Sequence, residues 1–477
     1  MNNLRVDLTN KQISDLRLMV TGGVSINESV LDSHAHDESS FPPVRPSAVV
    51  MASSTIEVSK VLAYCNQEKI PVVAFGAGTS LEGHTVPLYG GVSLDLTNMN
   101  RILEIRPDDL LTRVEAGVHR IALNEKLSSQ GLFFTVDPGA DATLGGMAST
   151  GAAGTTTVRY GAMRENVMGL TAVLADGTII HAGRETRKQS AGYDLTRLIV
   201  GSEGTLAVIT ELTLRLFGIP EKMAAAVVRF PTLNDGVAAA IEVVKSGIGI
   251  ARCEFLDATC IRNLNSHENL SLPEAPTLLF EFHGSVQGVE EDARSVQAIV
   301  ADFNGSDFEW TSDESQRRKL WHARHNAHWA GLAPYPGRLG VSTDMAVPLS
   351  KLADAVTLAD EKLAAHKYPY SILGHVADGN FHCQIITDPA HPEELIEIRE
   401  IVGTILSKIL DMGGTCTGEH GIGAGKIDSL VKEAGQEAID LMRTIKNAMD
   451  PNWILNPGKV IKLHAKNKKE LMTPNSS

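Results

Sequence analysis

From Asp137 to Thr155 the chain runs Asp-Pro-Gly-Ala-Asp-Ala-Thr-Leu-Gly-Gly-Met-Ala-Ser-Thr-Gly-Ala-Ala-Gly-Thr, nineteen residues with five glycines and nothing bulkier than Leu144 and Met147. Such a run leaves little side chain between the backbone and whatever packs against it. Two shorter segments have the same character: Phe75-Gly-Ala-Gly-Thr-Ser-Leu-Glu-Gly83, at the end of an apolar run, and Gly201-Ser-Glu-Gly-Thr-Leu206. Glycine lets backbone N–H groups approach a ligand closely and form a nest for anionic oxygens. The spacing fits neither common nucleotide loop. Four residues separate Gly78 from Gly83, so the GxGxxG fingerprint fails, and Gly425-Lys426 is followed by Ile427, so the P-loop fails. On spacing alone each loop reads more readily as a tight turn than as a ligand cradle, and only three such loops in one domain bring the two readings level.

The rest of the chain supplies context. Its 477 residues suggest two or three domains. Phe41-Pro-Pro43 marks a first boundary. From Ser47 to Leu96 strand, helix and strand alternate, with Ala48–Met51 and Ile70–Phe75 as strands and Ile56–Gln67 as the helix. Ile13 to Val20 reads as a short helix. Further strands are expected at 170–174, 178–181 and 206–216. The character changes near Pro220: helices are expected at 234–245, 289–303, 315–330 and 349–365, with strands at 277–283, 371–376 and 381–387, giving an antiparallel α+β second domain. The expected divisions are an N-terminal segment 1–40, a domain 41–219, a second domain 220–430 and a returning C-terminal segment 431–477.

A formal charge of −14 and 5% aromatic residues disfavour nucleic acid as a partner. The first residues lack the apolar core of a signal peptide, and the five cysteines form no CxxC pair. A soluble protein of a reducing compartment is expected, cytoplasmic in location. Lysines 459, 462, 466, 468 and 469 read as a solvated tail, the alternative being peripheral contact with an anionic inner-membrane surface.

The segment Ser371-Ile-Leu-Gly-His-Val-Ala-Asp-Gly-Asn-Phe-His-Cys383 reads as two strands joined by residues 377–380. That register pairs His375 with His382 on one face, close enough for both imidazoles to reach one cation, and turns Cys383 to the other face. Glu419, in Gly413-Gly-Thr-Cys-Thr-Gly-Glu-His-Gly-Ile-Gly423, offers a carboxylate as a third ligand, with His420 beside it. Two histidines and a carboxylate suit a catalytic metal with open positions. Polar residues satisfied inside a hairpin remain the alternative. Arg324 falls on a helical face with Leu320 and His328, and its planar fork suits a carboxylate, though helical arginines commonly face solvent.

The ordered motifs GAGTSLEG, DPGADATLGGMASTGAAGT, GSEGTLAVIT, ARHNA, STDMAVP, GHVADGNFH, GGTCTGEHGIG and LNPGK resemble the FAD-dependent D-lactate dehydrogenases of the wider D-2-hydroxyacid dehydrogenase group, from about Pro42 to Lys459. The resemblance implies an α+β protein: a two-subdomain FAD-binding domain of the vanillyl-alcohol oxidase type plus an antiparallel α+β substrate, or cap, domain. It implies that FAD is held by Gly76, Ala77, Gly78, Thr79, Ser80 and Gly83, by Pro138, Gly139, Thr143, Gly145, Gly146, Ala148, Gly151 and Gly154, and by Gly201, Gly204, Ile209 and Asn456. His375, His382 and Glu419 would hold Zn²⁺ or Mn²⁺, Arg324 would clamp the substrate carboxylate, and His420 would act as base. Related flavoproteins attach FAD through a histidine after a glycine pair; here His84 follows Leu81-Glu82-Gly83, so noncovalent FAD is expected.

The 2-hydroxyglutarate members place a lysine where this chain has Ser342-Thr343-Asp344, which favours a short monocarboxylate such as D-lactate. Glycolate oxidation within a multi-protein complex and D-2-hydroxyglutarate oxidation are the nearer alternatives, and a non-haem iron oxygenase is the distant one. The resemblance further implies a quinone or cytochrome-type electron acceptor, and a homo-oligomer is expected.

Overall fold

The computed structural model describes residues 5–463. The chain divides into two units, one made of residues 1–152, 162–219 and 419–477, the other of residues 153–161 and 220–418.

Among the described residues the first unit holds two larger sheets and a two-stranded ribbon, Leu132–Phe133 with Phe217–Gly218. In the smaller of the two sheets, Ala48–Met51, Val92–Asp95 and Val72–Phe75 lie parallel in that order, with Val24–Ser25 antiparallel on the outer edge. The helix Thr55–Glu68 joins the first two strands in sequence. Ser54 caps it by accepting from the Glu57 N–H, and it buries Val58, Val61, Leu62 and Cys65, the i, i+3, i+4, i+7 stripe of an amphipathic helix. The second sheet is antiparallel, in the order Ile102–Arg106, Leu111–Glu115, Val208–Arg215, Val167–Val173, Ile179–Gly183. The chain end returns to the first sheet: Val72 donates to the Ile454 carbonyl at 2.7 Å, and the Asn456 N–H donates to the Val72 carbonyl at 2.8 Å. Gly76 follows this parallel strand directly, so its loop opens at the carboxyl end, where open α/β sheets bind ligands.

The second unit is built on an antiparallel sheet, ordered Ser306–Thr311, Lys222–Arg229, Thr277–Gly284, Ile250–Leu256, Tyr370–Gly374, Asn380–Thr387, Leu339–Ser342, with Met345–Ala346 also on Asn380–Thr387. Its two faces differ in chemistry. Cys253, Phe255, Leu278, Phe280, Phe282, Ile372, Phe381, Cys383 and Ile385 point into one apolar core under the helices Leu233–Lys245, Val286–Asp302, Leu352–Ala364 and Pro392–Asp411. The alternate residues Glu254, Glu281, His283, His382 and Gln384 are also buried, but they need polar partners. The helix Glu314–His325 supplies several. Arg317 donates to Glu281 at 3.0 Å, Arg324 donates to Glu254, and the Trp321 ring lies beneath the Arg252 guanidinium, 4.6 Å from its centroid. Burial raises the Glu281 carboxyl, but Arg252, His283 and Arg317 outweigh it and hold the group at about 2.

Four expectations need correction. The first helix is Asn10–Arg17, starting three residues early because Thr9 and Gln12 form a capping box. The helix expected over 315–330 breaks at Asn326 into Glu314–His325 and Ala327–Leu332, and its buried face carries Arg317, Trp321 and Arg324. The histidine hairpin pairs Leu373, not His375, with His382, because Val376–Asp378 coil into a 3₁₀ turn and the N–H groups of Asp378 and Asn380 both donate to the His375 carbonyl. The shift is two residues, an even number, so both histidines keep the same face. Lys459 is not part of a solvated tail. It is 2% exposed and donates to the carbonyls of Val86 at 2.7 Å and His84 at 3.3 Å. Lys462 pairs with Asp428. Lysines 466, 468 and 469 lie outside the described residues. Among the described residues no helix is long and apolar enough to cross a membrane.

Phe255 is 1% exposed in the apolar core of the second unit. Replacing it with alanine should cost about 3–5 kcal/mol through lost burial and the remaining cavity. Urea unfolding should show this as a lower midpoint at unchanged slope for the transition of that unit.

Candidate active site

The three glycine loops come together in the first unit. A Cβ on Gly76 would strike the Thr143 hydroxyl of the second loop, and one on Gly151 would lie 3.5 Å from the Cα of Gly201 in the third. Gly201 donates to the Ala148 carbonyl at 2.9 Å and Glu203 to the Ser149 carbonyl at 2.8 Å. The Asn456 side-chain amide spans the first and third loops, donating to the carbonyls of His84 at 3.1 Å and Glu203 at 2.8 Å. Among the described residues the backbone N–H groups of Ala77, Gly78, Thr79 and Ser80 have no protein acceptor. They form a half-buried cradle of donors suited to the phosphates of a dinucleotide. Gly139 and Gly204 face open space, whereas Gly145 packs tightly on Ala116. Pro138 is half-buried, Gly83 sits on the Phe41 ring, and Gly146 donates to the Thr143 hydroxyl at 3.3 Å. Ile209 stands apart, its side chain buried in the core under the antiparallel sheet. Gly154 belongs to the segment 153–161 of the second unit.

Glu203 was not singled out from sequence, yet it organises this unit. It is buried at positive φ. Its carboxylate accepts from the N–H groups of Ile422 and Gly423, both at 2.7 Å, and lies 3.1 Å from His84 Nε2, a charge contact rather than an aligned hydrogen bond. Burial pushes the Glu203 carboxyl up, but His84 and the two amides outweigh it and hold it below the usual range. Burial likewise lowers the His84 imidazole, and Glu203 more than restores it. The segment carrying Glu419 and His420 is thereby fixed against the first and third loops. Gly421, at φ +82°, must be glycine, because a Cβ there would lie 2.7 Å from Glu203 Oε1 and 2.9 Å from His84 Nε2. His420 Nε2 lies 3.8 Å from Glu419 Oε1. Nearby, Lys459 is pushed down to about 7 by burial, with Asp37 and Glu203 pulling the other way.

In the second unit His375 and His382 meet edge to face, ring centroids 5.5 Å apart, each with a ring nitrogen within 4.8 Å of the other. His375 Nδ1 is 2.7 Å from Glu254 Oε1 and His382 Nδ1 is 3.0 Å from the Thr343 carbonyl. Both partners only accept, so both Nδ1 atoms carry the proton and both Nε2 atoms keep a lone pair. This is the arrangement that readies histidines for a metal, so the residues fit a divalent ion. Asp344, buried at 1% exposure, accepts from Asn380 Nδ2 at 2.8 Å and the Thr417 hydroxyl at 2.7 Å. A Cβ on Gly418 would strike the Asn380 amide, so the chain passes this point at close range with Glu419 next along it. Arg324 does not face solvent. It is buried and donates to Glu254 Oε2 through Nε at 2.9 Å, with Nη2 at 2.6 Å from the same oxygen. Glu254 thus holds two parts, His375 and Arg324, that sequence reasoning named without their anchor. A charge amid Cys253 and Phe255 in an apolar strand was the available signal for Glu254.

A glycine-built cradle of backbone donors on an α+β scaffold suits a flavin-dependent oxidoreductase. Residues 46–183 match the FAD binding domain family, and residues 219–460 match the FAD linked oxidases, C-terminal domain. The chain belongs to the FAD-linked oxidase family. It is 45% identical over 449 residues to the probable mitochondrial D-lactate dehydrogenase of Danio rerio, covering 93% of this chain and 90% of that one. It is 42% identical to the mitochondrial D-lactate dehydrogenase [cytochrome] of Arabidopsis thaliana, covering 95% and 80%. The 4-ethylphenol oxidase from Gulosibacter chungangensis shares the vanillyl-alcohol oxidase-type fold, with a TM-score of 0.79 at 18% identity over 96% of this chain and 99% of that one.

Glu203→Gln would keep the shape but set an amide NH₂ against backbone or imidazole donors. A loss of about 3–5 kcal/mol is expected. The pH dependence has two limits. The lowered Glu203 gives stability that is present above its unfolded value, about 4.3, and lost as pH falls through its folded value. The raised His84 gives stability that is full below about 6.5 and lost as pH rises through its folded value. Urea unfolding of wild type and variant should therefore differ most between roughly pH 4.5 and 6.5.

Proposed function

We propose that this chain oxidises a short D-2-hydroxy acid, D-lactate, to the 2-oxo acid, with noncovalent FAD as the immediate electron acceptor and a cytochrome or quinone beyond it. The names of the Danio and Arabidopsis relatives support the substrate, and the Arabidopsis name supports a cytochrome-type acceptor. The observation that carries the reading is the pair of buried histidines with both Nδ1 protons fixed, one of them through the carboxylate that also holds Arg324.

Bound FAD supplies a two-electron acceptor for the hydrogen leaving C2. A divalent ion on His375 and His382 would supply positive charge to the substrate hydroxyl. The chain's own residues do the remaining work. Arg324 presents the Nη1 side of its fork to the substrate carboxylate, its Nε and Nη2 edge being taken by Glu254. His420 takes the hydroxyl proton on a ring nitrogen as the C2–H bond breaks. Glu203, through Ile422 and Gly423, keeps the His420 segment from moving away during that transfer. Ser342-Thr343-Asp344 brings no cation for a second carboxylate, which favours lactate over a dicarboxylic acid. A cytoplasmic location is part of the proposal. Any membrane contact would have to do without Lys459, which is buried.

Anaerobic mixing with a panel of D- and L-2-hydroxy acids tests this reading. D-Lactate should bleach the flavin absorbance faster than glycolate, D-2-hydroxyglutarate or L-lactate, and a protein that D-lactate leaves yellow would reject the proposal. His420→Ala should slow flavin reduction by about 10²–10⁴-fold. Removing divalent ions with a chelator should depress the same rate, with recovery on adding Zn²⁺ or Mn²⁺.

A further inference from the structure

We propose that Glu254 is a positioning residue that fixes two working groups with one carboxylate, setting the metal-binding tautomer of His375 and the orientation of the Arg324 fork. This rests on the metal reading of His375 and His382 given above. Glu254 is 0% exposed on the strand Ile250–Leu256, and its neighbours Cys253 and Phe255 point into the apolar core on the opposite face. A lone carboxylate in that setting is costly unless each oxygen is used. Both are. Oε1 meets His375 Nδ1 at 2.7 Å; Oε2 meets Arg324 Nε at 2.9 Å and Nη2 at 2.6 Å.

The identity of the group matters, not only its charge. A carboxylate has no proton to donate, so His375 must carry its proton on Nδ1 and keep the Nε2 lone pair. The His375 backbone is held as well, its carbonyl accepting from Asp378 at 2.9 Å and Asn380 at 3.3 Å, so the ring has little freedom to find another partner. Glutamine has the same shape but one oxygen and one NH₂. If its NH₂ faces Arg324, donor meets donor and the fork swings away. If its NH₂ faces His375, Nδ1 must accept, the proton moves to Nε2 and the metal-binding lone pair is lost. Either orientation breaks one arm.

A purely structural role, neutralising a buried guanidinium, would not move metal affinity. The test uses purified, FAD-loaded enzyme and measures Mn²⁺ affinity by chelator competition alongside KM for D-lactate. Glu254→Gln should either bind Mn²⁺ about 10–100-fold more weakly or raise KM, according to which partner its NH₂ faces, with flavin content unchanged. Arg324→Lys should raise KM while leaving Mn²⁺ affinity at the wild-type value. Wild-type enzyme that binds Mn²⁺, with a glutamine variant that matches it in both Mn²⁺ affinity and KM, overturns the coupling alone. Wild-type enzyme that binds neither Mn²⁺ nor Zn²⁺ overturns the metal reading, and this inference with it. Should Glu254→Gln yield no folded flavoprotein, Glu254→Asp decides, since its shorter carboxylate cannot reach both partners. Weakened Mn²⁺ binding or a raised KM in that variant supports the coupling, and wild-type values of both refute it.

Discussion

The buried Glu203 carboxylate, facing two backbone amides and one imidazole, is the interaction on which the first unit's site depends. Its own amide holds it to the second glycine loop, its side chain holds the Glu419–Gly423 turn, and its carbonyl receives Asn456. Four segments far apart in sequence are therefore referenced to one residue. Without it the glycine loops would be flexible backbone, because a chain with so few side chains has little packing to keep it in place. A buried carboxylate is an expensive way to fix a loop, but two backbone donors and an imidazole meet its charge and the geometry it imposes is narrow.

The second unit solves a related problem with a sheet. Period-two alternation sends aromatic and aliphatic residues into one core and carboxylates and imidazoles to the other face, where a single helix brings Arg317, Trp321 and Arg324 over them. The apolar face supplies rigidity, and the polar face inherits it. Groups that must be placed within fractions of an ångström are thus mounted on strands rather than loops.

Much of this was legible in the residues themselves. The helix Thr55–Glu68 announces itself through its apolar spacing, and the glycine loops through glycine, because both signals are local. The common face of His375 and His382 was legible for the same reason, since alternation is a property of any strand. Their register was not. It depends on a 3₁₀ turn organised by the His375 carbonyl, a choice made by backbone hydrogen bonds that no side chain records. Lys459 and Glu254 were illegible for a different reason. Each is a charged residue whose burial is made tolerable only by partners remote in sequence, the carbonyls of His84 and Val86 for one and Arg324 and His375 for the other. Ile209 shows the reverse: a motif position implied to hold a ligand whose side chain lies in the core.

The clasp formed by Asn456 on His84 joins residues 372 positions apart. A ribosome adding roughly 5–20 residues per second would emit the first partner about 20–75 s before the second. For that interval the nascent parallel sheet lacks its closing strand partner at Val72, and the glycine loops lack their final tether. The loops therefore reach their final tethering only after residue 456 has been made. A messenger broken early, or a stalled polypeptide, would yield a nucleotide-binding half that has never been latched, and cellular quality control could tell it from the finished enzyme by that open edge.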